Sequence, residues 1–302
     1  MLENFENMEK YRAQMLIEAL PHIQKYYGKT VVVKYGGNAM INEDLKDAVI
    51  HDIVLLSLVG VRIVVVHGGG PEISGMLKKI GKQSEFVKGL RYTDRETMDI
   101  VQMVLCGKVN KELVSLLNKA GGSGVGLSGM DDGLLQAVRK KDEDGTDYGY
   151  VGDIVKVNPK LVNDMLEDGY IPVVSTAAMG VDDDTSYNIN ADDAACAIAR
   201  AVHAEKLAFL TDIEGVYKDP KDPSTLISEL PISEAKKLIE DGYIGGGMLP
   251  KLNNCIDAIE NGVSRVHILD GRIAHCLLLE IFTNKGIGTA ILGDKETKYY
   301  HE

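Results

Sequence analysis

Two apolar runs in the first quarter of the chain each end in glycines. Lys34 ends the first run and is followed by Gly36 and Gly37, and the second run leads into Gly69 and Gly70. A strand that opens into a glycine loop exposes backbone N–H groups at the carboxyl edge of a parallel sheet, where phosphates bind. One such loop could be a tight turn, but two of them predict a phosphate cradle.

Two lysines stand at positions that a bound anion would explain. Lys34 lies between an apolar strand and a glycine loop, although a lone lysine at a strand end is often only a solvated charge. Lys251 falls in the first turn of a predicted helix, where the helix dipole disfavours a cation. Both lysines are therefore candidates for contact with a phosphate.

Other polar side chains also stand at predicted element ends. Asn190 is a predicted N-cap that places Asp192 in the first helical turn, and capping alone could explain this pair. Asp212 ends another apolar run, where a turn-forming role is the simple alternative. Arg91 lies in a polar loop, and its guanidinium is suited to hold a carboxylate through two parallel hydrogen bonds.

Composition narrows the class of protein. The chain has 302 residues, of which 45% are hydrophobic, so it can bury a large core in one α/β domain or two lobes. A formal net charge of −12 argues against a general nucleic-acid binder. The four cysteines form no C-x-x-C pair, which favours reduced thiols over disulfides or a zinc site. The acidic N-terminus and the short apolar stretches predict a cytoplasmic protein without a signal peptide or membrane span.

Hydrophobic spacing predicts an α/β fold: a three-layer αβα sandwich around a mainly parallel open sheet, in two lobes. An amphipathic helix at 3–20, ended by Pro21, is an N-terminal extension that packs on its own domain or on a partner subunit. Short runs between 124 and 158 predict β-hairpins that form a lid. Element order puts the lobe boundary near Ala204. The predicted strands are 30–34, 61–66, 171–175, 207–211 and 265–269. The predicted helices are 43–59, 94–119, 191–202, 233–240, 248–261 and 274–282, and one more helix begins at about 71.

Six segments resemble the amino acid kinase family, in order and over nearly the whole chain. They are 33–40, 66–71, 89–94, 188–192, 210–217 and 247–251. The Lys-x-Gly-Gly and His-Gly-Gly-Gly segments are shared with related carboxylate and carbamate kinases. The Gly-Leu-Arg-x-Thr-Asp and Asn-x-Asn-Ala-Asp segments point to the branch that phosphorylates N-acetylglutamate.

The resemblance implies an enzyme that transfers the γ-phosphoryl group of ATP to the side-chain carboxylate of N-acetyl-L-glutamate, in arginine biosynthesis. It implies that Lys34 and Lys251 stabilise the phosphoryl group and that Asp192 orients both lysines. Mg²⁺ is held mainly by the nucleotide phosphates, with no metal site made by protein side chains. The implied substrate-binding residues are Gly69, Gly70, Arg91 for the α-carboxylate and Asn188 near the acetylamino group. The implied nucleotide-binding residues are Gly36, Gly37, Asp212, Gly215, Val216, Tyr217, Tyr243, Ile244 and Gly245.

These roles agree with the chemistry that such a transfer requires. A free carboxylate titrates near ~4.3 and is ionised at neutral pH, so the nucleophile needs no general base. The reaction instead needs relief of repulsion between two anions and in-line positioning. Two lysines, glycine-loop amides and Mg²⁺ would supply both.

Further segments resemble the arginine-inhibited branch of this family, a hexamer built as a trimer of dimers. The resemblance divides the chain into an oligomerisation helix at 1–28, an acyl-amino-acid-binding and dimerisation lobe at 29–204, and a nucleotide-binding lobe at 205–302. His22 stands where that branch commonly has tyrosine, which could weaken arginine binding or make it pH-dependent. The implied effector residues are Lys206, His275, Glu280, Gly286 and Gly288.

Three alternatives remain at this point. A family kinase acting on carrier-linked aminoadipate would want a basic rim, which the acidic composition hardly provides. A nicotinamide oxidoreductase would need a G-x-G-x-x-G fingerprint, and neither early strand is followed by one. A non-catalytic arginine sensor would have no use for Lys34, Lys251 and Asp192 together.

Overall fold

The structure is a computed structural model that describes residues 2–40, 42–219, 221–283 and 286–296. Within these residues the chain forms fourteen strands and ten α-helices. The strands are β1 (Thr30–Tyr35), β2 (Arg62–His67), β3 (Phe86–Val87), β4 (Leu90–Arg91), β5 (Gly124–Ser128), β6 (Leu135–Arg139), β7 (Gly152–Val157), β8 (Ile171–Ser175), β9 (Ala177–Gly180), β10 (Ser186–Asn188), β11 (Lys206–Thr211), β12 (Glu229–Pro231), β13 (Arg265–Asp270) and β14 (Thr289–Leu292). The helices are α1 (Leu2–Tyr26), α2 (Glu43–Leu58), α3 (Gly70–Lys79), α4 (Arg95–Gln102), α5 (Asn110–Lys119), α6 (Lys160–Glu167), α7 (Ala191–Ala201), α8 (Ile232–Glu240), α9 (Met248–Glu260) and α10 (Cys276–Phe282).

An eight-stranded sheet forms the centre of the molecule. Its strand order is β12-β14-β13-β11-β1-β2-β8-β5. All neighbouring pairs are parallel except β13 with β14. The predicted α/β fold with a mainly parallel sheet is therefore confirmed.

Two hydrophobic cores lie on opposite faces of this sheet. Val32 and Phe209 point into a core formed with α6, α7, α8 and α9. Val31 and Val33 point into a core formed with α2, α3, α4, α5 and α10. Because successive side chains of a strand face opposite ways, strands buried on both faces read as unbroken apolar runs in the sequence.

The N-terminal helix differs from its prediction. Helix α1 continues through Pro21 to Tyr26, so the prediction that Pro21 ends the helix was wrong. The side chain of Tyr26 is buried, and its ring lies 4.7 Å from the ammonium of Lys206. Packing of the last turn against the sheet thus outweighs the hydrogen bond that proline removes.

The segment predicted to form only hairpins divides between two sheets. Strand β5 pairs in parallel with β8 and joins the main sheet, against the prediction. Gly126 lies so close to α5 that an added Cβ would come within 2.0 Å of the Asn110 side chain, so bulkier residues cannot serve there. Strands β6 and β7 form the predicted antiparallel hairpin within a small sheet of order β10-β9-β6-β7. The sequence analysis did not predict β3, β4, β9, β10, β12 or β14.

The long helix predicted at 94–119 is continuous but changes its winding. A π-helical segment, Met103–Val109, joins α4 to α5. Leu105 of this segment packs at Gly69, where an added Cβ would come within 2.7 Å of the leucine side chain. The wide turn therefore lies directly against the second glycine loop, consistent with the frequent placement of π-bulges at functional sites.

Candidate active site

Lys34, Asp192 and Lys251 form one charged cluster at the carboxyl edge of the main sheet. The ammonium of Lys34 lies 3.0 Å from Oδ1 of Asp192. The ammonium of Lys251 forms an ion pair and hydrogen bond with the other carboxylate oxygen, Oδ2. One carboxylate thus holds two ammonium groups, and the cluster keeps one positive charge in excess.

Three elements bring this cluster together. Lys34 is the fifth residue of β1, between Val66 of β2 and Phe209 of β11. Asn190 caps α7 by accepting a 2.8 Å hydrogen bond from the backbone N–H of Asp192, which fixes the aspartate in the first turn. Lys251 lies in the first turn of α9, with its ammonium 4.9 Å from the ring centroid of Phe209.

The electrostatics keep Asp192 charged. Burial alone would raise the pKa of its carboxyl group, but the charges of Lys34 and Lys251 outweigh burial and lower that pKa below its usual value. The side chains of the three residues are only 14–20% exposed, so water screens the cluster weakly. The excess positive charge is therefore available to an anionic ligand.

A cavity of about 250 Å³ opens beside Lys34. Both glycine loops line it, together with the predicted substrate-binding side chains. The predicted residues that it brings together are Lys34, Gly36, Gly37, Gly69, Gly70, Arg91 and Asn188. Lys251 and Asp192 are not among the lining residues but reach this edge through their contacts with each other and with Lys34.

Arg91 is a buried cation with neutral partners. Its guanidinium donates to the carbonyl of Gly70 at 2.9 Å and to the hydroxyls of Ser74 and Ser84 at 2.8 and 2.7 Å. It also lies 4.9 Å from the ring centroid of Phe86. Burial lowers the pKa of Arg91, and among the described residues no carboxylate forms an ion pair with it. A buried guanidinium of this kind favours an anionic ligand in the cavity.

Two contacts locate predicted nucleotide-binding residues, one between Gly37 and Asp212 and one between Val216 and Thr289. Gly37 has a left-handed φ of +68°, and a Cβ there would come within 2.7 Å of Asp212 Oδ1, so the glycine loop and Asp212 lie in contact. The backbone N–H of Val216 donates to the Thr289 hydroxyl at 2.8 Å. Thr289 was not a predicted site residue, because nothing in its own segment indicates this contact. Gly215 and Tyr217 flank Val216 in the same loop.

Tyr243, Ile244 and Gly245 are not among the residues that line the cavity beside Lys34. The side chain of Tyr243 is 58% exposed and lines a separate surface cavity with Lys218 and Lys237. Ile244 is buried in the core on the α9 face of the sheet, and Gly245 is exposed. The family resemblance implies that all three contact the nucleotide, and this stays a prediction.

The predicted effector residues are only partly brought together. Lys206 and Glu280 are both buried, and Glu280 receives a hydrogen bond from the backbone N–H of Ile287 at 2.9 Å. The histidine beside Glu280 is His267, whose Nδ1 lies 2.6 Å from Oε1, and the sequence analysis missed it. His275, the N-cap of α10, instead contacts Asp52, with its Nδ1 2.6 Å from Oδ1 of that buried carboxylate.

Gly286, Gly288 and His22 are the other residues that the sequence analysis linked to arginine binding. Gly286 has a φ of +59°, and a Cβ on Gly288 would come within 2.1 Å of the carbonyl oxygen of Ile268. His22 packs edge-on against Phe282 with ring centroids 6.4 Å apart. Burial, then the charges of nearby lysines, lowers the pKa of His22. Helix α1 therefore meets α10 next to the Lys206 and Glu280 pair.

The described part of the chain shows neither a metal-binding cluster of side chains nor a helix that could span a membrane. No group of three or more His, Cys, Asp or Glu side chains among these residues is arranged to hold a metal ion. No helix within the same ranges combines the length and the apolar character needed to cross a membrane.

Comparison with known proteins agrees with this geometry. A sequence model of the amino acid kinase family matches residues 29–270, and the chain belongs to that family. The chain is 56% identical over 293 residues to the acetylglutamate kinase of Caldicellulosiruptor saccharolyticus, covering 95% of this chain and 99% of that protein. It is 54% identical over 289 residues to the acetylglutamate kinase of Heliobacterium modesticaldum, covering 93% and 98%.

A solved structure of a related protein has the same fold. N-acetylglutamate synthase from Neisseria gonorrhoeae, solved with coenzyme A and N-acetyl-glutamate, matches with a TM-score of 0.82 at 29% sequence identity. The match covers 93% of this chain and 63% of the synthase chain. The fold of that structure therefore matches this protein over nearly its whole length.

Proposed function

We propose that this protein transfers the γ-phosphoryl group of ATP to the side-chain carboxylate of N-acetyl-L-glutamate, giving N-acetyl-L-glutamyl 5-phosphate for arginine biosynthesis. The observation that carries this proposal is the cluster of Lys34, Asp192 and Lys251 beside a cavity that contains the guanidinium of Arg91. The identity of 54–56% to acetylglutamate kinases supports the choice of substrate.

One part of the cavity would bind the substrate, and another part would hold its reacting carboxylate. Arg91 would bind the α-carboxylate of the substrate, because its forked donors fit a planar anion and it has no described anionic partner. Asn188, which also lines the cavity, would contact the acetylamino group. With both substituents of the substrate's Cα held, the side-chain carboxylate would extend toward the glycine loops and Lys34.

The charged cluster would stabilise the transferring phosphoryl group. Lys34 and Lys251 reach this edge from different elements, so their ammonium groups can contact different oxygens of one anion. The backbone N–H groups of Gly36, Gly37, Gly69 and Gly70 would add neutral donors. Mg²⁺ would enter with ATP and neutralise charge on its β- and γ-phosphates. Because the nucleophile is already ionised, no residue has to remove a proton from it.

A hydroxylamine-trapping assay tests the proposal directly. An acyl phosphate reacts with hydroxylamine to form a hydroxamate and release phosphate, so the product reports both the reaction and the acceptor. The purified protein is offered Mg-ATP with N-acetylglutamate, glutamate, aspartate or N-acetyl-aminoadipate in parallel. We expect hydroxamate from N-acetylglutamate alone. A preference for another acid would move the specificity, and no product from any acid would refute kinase activity.

We also propose that arginine inhibits the enzyme at the region formed by Lys206, Glu280, Gly286 and Gly288, beside α1. His267 joins this proposal in place of His275, because His267 contacts Glu280 while His275 contacts Asp52. Free arginine at millimolar concentration is expected to reduce activity at pH 7.5. Activity that stays unchanged as arginine is raised to millimolar concentration at pH 7.5 would contradict feedback inhibition.

The remaining proposals concern assembly and location. Helix α1 exposes large apolar side chains such as Tyr11, Leu16 and Leu20, which supports its use in joining dimers into a hexamer. We also propose that residues 1–28 form the oligomerisation helix, 29–204 the acyl-amino-acid-binding and dimerisation lobe, and 205–302 the nucleotide-binding lobe. A cytoplasmic location is part of the same proposal. Light scattering of the full chain and of Leu16→Asp tests the assembly, since the charge should reduce the hexamer to smaller species.

A further inference from the structure

Thr93 is a buried residue that contacts two of the residues lining the substrate cavity without lining it itself. Its side chain is fully buried, and it is not among the residues that line the cavity. Its hydroxyl donates to the backbone carbonyl of Arg91 at 2.8 Å. The same hydroxyl oxygen accepts a hydrogen bond from Nδ2 of Asn188 at 3.3 Å. Thr93 thus links the residue assigned to the α-carboxylate with the residue assigned to the acetylamino group, the two polar substituents on Cα of the substrate.

The backbone around Thr93 fixes the position of this hydroxyl. Its N–H donates to the carbonyl of Tyr148 at 3.1 Å, and its carbonyl accepts from the N–H of Tyr150 at 2.5 Å. The carbonyl of Tyr150 in turn accepts from the N–H of Asn188 at 2.8 Å. Gly149 has a φ of +70°, and a Cβ there would come within 2.1 Å of the Thr93 carbonyl oxygen. One short segment therefore holds Thr93 and Asn188 in register.

The proton count of a hydroxyl determines which end of Asn188 faces Thr93. A threonine hydroxyl has one proton, and here that proton is used on the Arg91 carbonyl. The hydroxyl can then only accept from Asn188, so the NH₂ end of the amide must face Thr93. Within the described ranges no donor contacts Oδ1 of Asn188, which leaves this oxygen for the cavity.

We propose that Thr93 is a positioning residue that fixes the amide orientation of Asn188, so that Oδ1 accepts a hydrogen bond from the N–H of the substrate's acylamino group. This inference rests on the proposed function and deepens it, because it states which atom of the acylamino group is recognised. The site selects an acylated nitrogen that still carries a hydrogen. An isostere with oxygen in place of N–H would place a second acceptor against Oδ1.

Two substrates test this assignment with the unaltered protein. In an assay of ADP release without hydroxylamine, N-acetylglutamate is compared with 2-acetoxyglutarate, the ester in which oxygen replaces the N–H group. We expect kcat/KM to favour N-acetylglutamate by about tenfold or more, since the ester leaves a polar contact unmade. A preference below about threefold would overturn the assignment. Absence of any product from N-acetylglutamate would instead refute the proposed function.

Two variants separate positioning from a general structural role. Thr93→Val keeps the shape but removes the hydroxyl, and Thr93→Ser keeps the hydroxyl. For Thr93→Val we expect the KM for N-acetylglutamate to rise about 5- to 30-fold, with kcat and the KM for ATP nearly unchanged. Its preference for N-acetylglutamate over the ester should also fall, because the Asn188 amide becomes free to turn.

The outcomes of the variant experiment are distinct. Thr93→Ser should keep the preference of the parent protein within about twofold, as expected when the hydroxyl is the group that matters. Equal losses with both substrates in Thr93→Val, or losses shared equally between kcat and both KM values, would show a structural role and overturn the assignment. If Thr93→Val fails to fold, Thr93→Ala replaces it, and the same loss of preference for N-acetylglutamate over the ester is expected.

Discussion

Asp192→Asn is the substitution that most directly tests the two-lysine cluster. The change keeps the size of the side chain and removes the negative charge that Lys34 and Lys251 share. Asn190 still caps α7 in the variant, because its hydrogen bond is to the backbone N–H of residue 192. The substitution therefore isolates the carboxylate charge from the local fold.

The size of the effect follows from the geometry. Two unit charges 3.0 Å apart attract by roughly 5–6 kcal/mol at an effective dielectric constant of about 20. Solvation of the freed ammonium groups recovers part of this energy. What remains is mutual repulsion between Lys34 and Lys251, which turns at least one ammonium group away. Loss of one such donor costs about 10²–10³ in rate, or about 3–4 kcal/mol, and this is the expected fall in kcat.

Asp193→Asn is the matched control for this experiment. Asp193 also lies in the first turn of α7, but its carboxylate accepts from the side chain of Asn254 at 2.6 Å and forms no ion pair with either lysine. Steady-state hydroxamate formation with saturating Mg-ATP gives kcat for both variants. Asp193→Asn should stay within about threefold of the parent protein, as expected for a screened helix-terminus charge. A similar loss in both variants, or an Asp192→Asn enzyme with more than a third of the parent kcat, would refute the reasoning.

Three further predictions follow from the same contacts. Arg91→Lys should raise the KM for N-acetylglutamate by at least about tenfold in the steady-state assay, because lysine lacks the forked donors. Gly37→Ala should raise the KM for ATP, since its Cβ would come within 2.7 Å of Asp212, whereas Gly81→Ala, with φ +81° and open space, should leave that KM unchanged. Burial lowers the pKa of Lys206 to about 7 despite the opposing charge of Glu280. Between pH 7 and pH 10 the Lys206 amine is therefore mostly neutral in the folded protein and mostly protonated in the unfolded chain. The free energy of unfolding should accordingly rise with pH in this range, by at most about 1.4 kcal/mol per pH unit. Urea denaturation should show this rise in the parent protein and a flatter profile in Lys206→Met.

Much of the site could be predicted because its residues stand at the ends of elements with strong local signals. The β-branched run before Lys34 forms a buried strand, and the asparagine at 190 caps a helix, as their types predict. Parallel strands bring their carboxyl ends to one edge, so residues that follow such runs meet in space. The cavity beside Lys34 contains both glycine loops for this reason.

The contacts that sequence reasoning missed all join segments that are distant in the chain. His267 and Glu280 are thirteen residues apart, and His275 reaches Asp52 across 223 residues. No hydrophobic period or cap encodes such pairs, because each depends on how two elements pack. The same holds for Pro21, whose local preference to end a helix is overcome by burial of Tyr26.

The position of Asp192 between two lysines is itself a consequence of topology. Helix α7 precedes β11, which lies next to β1, so the first turn of α7 packs near the end of β1 that carries Lys34. Helix α9 precedes β13, the neighbour of β11 on the other side, and it packs against α7. Helix α7 is thus in contact both with β1 and with the helix that carries Lys251. A carboxylate in its first turn can hold both ammonium groups, and any shift of α9 relative to β1 changes the lysine spacing through that carboxylate.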